Sequence, residues 1–388
     1  MKKIAIISAI NTNYGTLLQA YATQQELQKL GLDTEIFYYT SDPIKQFYRV
    51  FNLPFLVTKL KALNVRLATK LWHPEIYKEI LVREKVFMDF RLNKLRISSK
   101  ISSKEELKNK VINYDGVVLG SDQVWNPQNL EMDYYTLNFV PDNIPKITYA
   151  PSFGVDIIPE SQIRKTREYL SRIEYISVRE MAGSKIVKSI TGRDVPTVCD
   201  PTALLTKEQW DHMKSAKKYT DDKYIFCYFL GANKQYRKFA NEVAKLTGYK
   251  LIAIQHMDEF VKYDLNFADI KPYDVDPADF VNLVANAEMV LTDSFHGTMF
   301  SIYFSIPFFT FNYDVQGSKN SVNSRIDSIM KILDIGDRRF AGTEDVGECL
   351  KMDIDWNKIH CKLNDFRKTS ESYLVNALRS ANLLENTK

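Results

Sequence analysis

The run Glu288–Phe311, EMVLTDSFHGTMFSIYFSIPFFTF, constrains the fold more than any other part of the chain. Met289-Val290-Leu291 is a short apolar run of the kind that forms a buried strand. Thr292-Asp293-Ser294 breaks it with small polar residues that cap helices. Thr298–Ser305 is apolar enough for a buried helix, Ile306-Pro307 stops it, and Phe308–Phe311 resumes as a strand. This strand–turn–helix–strand unit puts His296 and Gly297 at a helix N-terminus, where free N–H groups and the positive dipole end favour an anion. A lone histidine is more often a satisfied core or surface residue. Its place here tips the reading toward an acid, base or phosphate ligand.

The βα alternation extends in both directions. Lys3–Ala9 reads as a strand, Ile10–Gly15 as a polar turn, Thr16–Leu30 as a helix and Thr34–Tyr39 as a second strand. That order makes a parallel βαβ unit whose first loop lies at the ligand-binding edge. Further strands are expected at Tyr114–Leu119, Lys146–Ala150, Glu174–Val178 and Thr197–Cys199, each ending in a short polar turn. A polar stretch, Met213–Asp222, separates this half from a second one that restarts at Tyr224–Leu230. The expected division is residues 1–212, residues 223–362, and a terminal helix within 363–388 that packs back on the first domain.

Residues 45–100 interrupt the pattern with a helix-leaning insertion. It holds thirteen Lys/Arg against four acids, a net of +9 in a chain whose total is +4. Phe47, Tyr48, Phe51, Phe55, Trp72 and Tyr77 are interleaved with these charges. A solvated basic face is the plainer reading, and a platform for anionic lipid or a pyrophosphate-linked acceptor the sharper one. The overall charge is too mild to demand nucleic acid. Four scattered cysteines without zinc-ligand spacing, and no leader-like or membrane-spanning run, fit a cytoplasmic protein with reduced thiols. Asp274-Val275-Asp276 is an isolated triplet, so no metal is expected.

The motifs NTNYGTLLQAYATQQEL, VVLGSDQVWNP, YAPSFG, ISVRE, CDPTALL, LTDSFHGTMFSIYFSIPF and NSRIDSI follow one another in this order. As a set they resemble the polysaccharide pyruvyl transferases, over most of residues 3–335. The resemblance implies an α/β fold similar to GT-B, with two Rossmann-like domains facing across a cleft. It also implies transfer of the carboxyvinyl group of phosphoenolpyruvate onto two hydroxyls of a surface polysaccharide or its precursor, giving a pyruvate ketal and phosphate. Phosphoenolpyruvate is then the donor substrate and no cofactor is needed. The acceptor is a sugar or lipid-linked oligosaccharide, with peripheral contact at the cytoplasmic membrane face as an option. A nucleotide-sugar GT-B glycosyltransferase and an inactive glycan-binding relative are the alternatives.

Carried onto this sequence, the resemblance makes His296 the family's histidine. It puts Ser294 where many members have an arginine, and a serine cannot pair bidentately with phosphate or carboxylate. Arg179 of the VRE turn is the first candidate to replace that charge, followed by Lys319 and Arg325. The donor set is therefore Arg179, Ser294, His296, Gly297, Lys319 and Arg325. Asp122 competes between a helix cap and a catalytic carboxylate. Asn13, Tyr14, Gly15, Asp122, Gln123 and Trp125 form the expected acceptor set, with Gly15 allowing close backbone approach. Asp200 and Asp293 read as caps.

Overall fold

The computed structural model describes residues 1–40, 69–255, 261–313 and 323–385. The first sheet uses β1 (Lys3–Ile7), β2 (Asp33–Ile36), β3 (Gly116–Leu119) and β4 (Lys146–Thr148) in the order β2-β1-β3-β4, all parallel. Ile4–Ile7 of β1 pair with Gly116–Leu119 of β3, and all of these paired residues are buried. Helix α1 (Tyr14–Lys29) makes the crossover from β1 to β2. The order reverses between β1 and β3, so the loops after these two strands flank a switch-point crevice.

The expected strands at 174–178 and 197–199 are reduced to isolated bridges, Ile147↔Tyr175 and Val178↔Thr197. Side chains take over the ladder there. Thr148 Oγ1 donates to the Ser177 carbonyl, and Ser177 Oγ donates to the Thr148 carbonyl.

Between β2 and β3 lie α2 (Pro74–Lys94) and α3 (Lys104–Val111). The α2 helix has proline at its first turn and buries Ile80, Arg83, Phe87 and Phe90. Arg83 is the informative member. Its guanidinium donates to the carbonyls of Tyr273 (3.0 Å), Pro272 (3.2 Å) and Gln255, tying the insertion to the second half of the chain. Phe47, Tyr48, Phe51 and Phe55 lie outside the described residues. Helices α4 (Glu160–Ser171), α5 (Met181–Thr191) and α6 (Lys207–Met213) complete this half.

The second sheet has the order β6-β5-β7-β8-β9, again parallel, from β5 (Tyr224–Tyr228), β6 (Lys250–Ala253), β7 (Met289–Thr292), β8 (Phe308–Phe311) and β9 (Arg339–Phe340). Around it pack α7 (Lys234–Thr247), α8 (Pro277–Ala285), α9 (Phe295–Phe304), α10 (Ser324–Leu333) and α11 (Val346–Cys349). Its own reversal falls between β5 and β7, so α9 starts at a second switch point. The α9 helix begins at Phe295, three residues before the expected start, because Ser294 caps it by accepting from Gly297 N–H.

One hydrophobic cluster runs through both halves. Fully buried Trp210 of α6 packs against Tyr21 and edge-on to Phe300, and Tyr14 stacks on Phe280 at 4.9 Å. The last helix, α12 (Trp356–Ser380), starts earlier than the sequence suggested and touches both sheets' surroundings. His360 bonds Ser305 Oγ at 2.8 Å near its start. Further along, Ser370 Oγ accepts from Cys199 N–H and Tyr373 donates to the Thr148 carbonyl.

Candidate active site

The carboxyl ends of both sheets meet around two buried carboxylates, Asp122 and Asp200. Asp200 follows Cys199 and caps a short 3-10 turn, Pro201–Ala203, by accepting from Thr202 N–H (3.0 Å) and Thr202 Oγ1 (2.7 Å). Its other oxygen accepts from Arg179 Nη1 at 2.6 Å and Ser121 Oγ at 3.1 Å. His296 Nε2, arriving from the second sheet on α9, stands 3.6 Å from that same oxygen. Burial alone would raise the Asp200 carboxyl, but the neighbouring His296 and Arg179 outweigh it and hold it well below the usual range.

Asp122 follows β3 with a left-handed backbone, φ 74°, a strained conformation for a non-glycine residue. The turn is held by two backbone bonds from Val124 and Ser152 N–H to its carbonyl. Thr16 Oγ1 donates to its carboxylate at 2.5 Å, and Gln123 N–H at 2.8 Å. Arg179 Nη2 and Arg325 Nη1 lie 3.6 and 3.9 Å from Asp122 Oδ1. Burial pushes this carboxyl up, Arg179, His296 and Arg325 pull it down, and the balance is low. Asp122 is therefore a carboxylate at neutral pH. It can accept a proton, and it is poorly suited to deliver one.

Both arginines are buried against their preference. Arg179 lies over the Phe295 ring at 4.9 Å, and Asp200, Asp122 and Glu180 offset its burial and keep it charged. Arg325, from the start of α10, is pushed down to about 10 by burial and by the like charge of Arg179. Gln123, with its amide oxygen turned toward this guanidinium, accepts from Arg325 Nη2 at 2.5 Å and Nη1 at 3.3 Å. Among the described residues, Arg179 Nε and Nη2, Arg325 Nε and His296 Nε2 have no hydrogen-bond partner. Buried polar groups are nearly always paired, so the unpaired nitrogens of Arg179, Arg325 and His296, with the unpaired Glu180 Oε2 beside them, mark a place for a polar ligand.

Two helix N-termini face one another here. Gly15, the second residue of α1, lies directly against His296, the second residue of α9. A Cβ on Gly15 would sit 1.9 Å from His296 Nδ1. Gly297 is held as tightly, since a Cβ there would come within 2.5 Å of Thr292 Oγ1. Asn13 caps α1 by accepting from Thr16 N–H.

Asp122, Gln123, Arg179, His296 and Arg325 thus come together, with Gly15 packed on the histidine. Ser294 serves as the α9 cap. Tyr14 and Trp125, expected at the sugar, are packing residues here. The Tyr14 hydroxyl donates to the Val275 carbonyl, and its ring lies among Phe87, Tyr228 and Phe280. Trp125 Nε1 donates to the Tyr135 carbonyl, and its ring packs on Phe153 and Tyr169. Lys319 lies outside the described residues. Asp293, expected as a cap, accepts from Leu230 N–H (2.6 Å) and Gly231 N–H (2.9 Å), strapping the loop after β5 to the α9 turn. Asp200 has the larger unforeseen role, and the CDP turn at a strand end was its one visible signal. Among the described residues there is no cluster of three His, Cys, Asp or Glu that could hold a metal.

Two parallel α/β sheets with helices between them, meeting at their carboxyl edges, make up the GT-B architecture. Solved structures with that fold are similar along nearly the whole chain. A UDP-N-acetylglucosamine 2-epimerase from Rickettsia bellii is 11% identical, with 98% of this chain and 96% of that one covered and a TM-score of 0.56. The S. aureus MnaA-UDP co-structure is 13% identical, with 100% and 99% covered and a TM-score of 0.53. No curated protein matches the chain. The family model of the polysaccharide pyruvyl transferases matches residues 13–315, and the chain belongs to that family. It is a transferase of polysaccharide biosynthesis.

Proposed function

We propose that the donor is phosphoenolpyruvate and that its carboxyvinyl group becomes a cyclic ketal on two hydroxyls of a sugar acceptor. The observation that carries this is the set of unpaired nitrogens on Arg179, Arg325 and His296 around Asp122 and Asp200. Phosphoenolpyruvate carries up to three negative charges, and two guanidinium groups beside a helix N-terminus suit a small dianionic or trianionic ligand. Arg325 and Arg179 supply the charge that Ser294 does not.

The chemistry then divides among these groups. The methylene carbon takes a proton, C2 gains oxocarbenium character, the first hydroxyl adds, phosphate leaves and the second hydroxyl closes the ring. Two hydroxyl protons are lost. One is balanced by the new methyl group, the other ends on the departing phosphate. His296 is the proton carrier and phosphate partner, and Asp122, ionised beside the cleft, accepts from an acceptor hydroxyl. Arg179 and Arg325 stabilise the charge that moves onto phosphate. No metal or cofactor is required for these steps. The donor reading puts the protein in the cytoplasm, where phosphoenolpyruvate is made.

Calorimetric titration of the purified protein with phosphoenolpyruvate tests the reading, with UDP in parallel. Saturable binding of phosphoenolpyruvate, weakened about tenfold or more in Arg325→Ala, is the expected result. Binding of UDP alone would transfer the chain to the nucleotide-sugar reading.

A further inference from the structure

The α2 helix has two unlike faces. Ile80, Phe87 and Phe90 point inward with Arg83, and Phe87 packs at 4.7 Å on Tyr14, the residue before Gly15. The opposite face is exposed and apolar. Leu81, Met88 and Leu92 recur at i, i+7 and i+11, with Met88 55% and Leu92 61% exposed, and Val82 lies beside them. Just ahead of the helix, Leu71 and Trp72 are 72% and 74% exposed. Exposed apolar stripes of this extent ordinarily mark a contact surface.

We infer that this face docks onto an anionic lipid surface. Lysines decide between the possible occupants. Exposed Lys78 and Lys85 sit beside the stripe and exposed Lys70 and Lys94 at its ends, against exposed Glu75 and Asp89 and half-buried Glu79 and Glu84. The cores of protein interfaces are depleted in lysine, so a second copy of this chain is a poor fit. An interfacial helix, by contrast, carries lysines whose stems lie along the apolar face while their ammonium groups reach the phosphates. Tryptophan at the start of such a helix occupies the headgroup boundary. The wider insertion has the same sign, +9 against −5 for the rest of the chain (+4 less +9). No helix among the described residues is long and apolar enough to cross a membrane, so the docking is peripheral. Only its purpose rests on the proposed function: a lipid-borne acceptor would be presented one helix away from His296.

The test is co-sedimentation of the protein with vesicles of phosphatidylglycerol and phosphatidylcholine, against pure phosphatidylcholine. Trp72 is a built-in reporter, since Trp125 and Trp210 are buried and Trp356 is partly buried. Anionic vesicles should bind the protein and shift its emission to shorter wavelength, and Trp72→Phe should abolish most of that shift while binding persists. The triple variant Leu81→Gln, Met88→Gln, Leu92→Gln should keep its melting temperature and bind about tenfold or more weakly. Equal binding by that variant, or no preference for anionic vesicles, would overturn the docking. So would a dimer in solution that the triple variant converts to monomer. None of these readouts uses phosphoenolpyruvate or turnover, so the docking and the transferase chemistry stand or fall separately.

Discussion

Replacing Gly15 by alanine tests the meeting of the two halves at its tightest point. Gly15 has an ordinary helical backbone, and at an unencumbered helix site the substitution would stabilise by about 1 kcal/mol. Here the new methyl group would lie 1.9 Å from His296 Nδ1, 2.4 Å from Cγ and 2.5 Å from Cε1. Ordinary contact begins near 3.4 Å, so the imidazole must retreat about 1.5 Å or the two sheets must part by as much. Overpacking of that kind costs about 1–3 kcal/mol, which reverses the sign of the usual effect. A catalytic group displaced by about 1 Å loses on the order of 100-fold in rate. The variant should therefore unfold at lower temperature and release phosphate from phosphoenolpyruvate and acceptor about 100-fold more slowly. A thermodynamic cycle with His296→Ala gives an arm that needs no activity. Once the ring is gone the alanine methyl has room, and its penalty should vanish. A penalty of equal size in both backgrounds, or turnover within twofold of the parent, would refute the contact as the cause.

Two further outcomes follow from buried polar groups. Burial raises Asp293 from 3.8 to about 6, so the folded state holds its proton more tightly than the unfolded state. Its contribution to stability is then full below about pH 4 and is lost as the pH rises through about 6, a swing of about 3 kcal/mol. Asp293→Asn should remove that downward slope from a plot of melting temperature against pH, and superimposable profiles would sink the assignment. Tyr14→Phe deletes the bond to the Val275 carbonyl and should lower stability by about 1 kcal/mol with turnover retained. A raised acceptor KM without any change in melting temperature would instead put the hydroxyl on the sugar.

Much of this arrangement was readable from local pattern. Apolar runs ending in TDSFHG and GSDQ gave β7 and β3 with their polar turns, because strand, cap and helix signals are all short-range. His296, Asp122, Arg179 and Arg325 were singled out by such turns and by family resemblance, and they do lie together. What could not be read depends on partners far away in the chain. Asp200 has the sequence signature of a cap and is one. Its second oxygen meets Arg179, 21 residues earlier, and approaches His296, 96 residues later. Nothing local reports that. Tyr14 and Trp125 have the composition of sugar-binding residues, and only the packing of Phe280 and Phe153 around them reveals their burial. Arg83 looked like one more charge in a basic insertion. Its partners are carbonyls of residues 255, 272 and 273, reached only when the two halves are assembled.

The long helix α12 has a bearing on how the protein is made. Leu383, just past its end, lies over Gly116 of β3, and Tyr373 and Ser370 close on β4 and the turn before Asp200. A ribosome delivers the first sheet long before these side chains exist. The earlier half must therefore wait with part of its apolar surface and the Cys199 N–H uncovered until the later half has emerged. The buried carboxylates Asp122 and Asp200 belong to the half that waits, and His296 to the half that follows. The site is therefore complete only after residues near the end of the chain have been made.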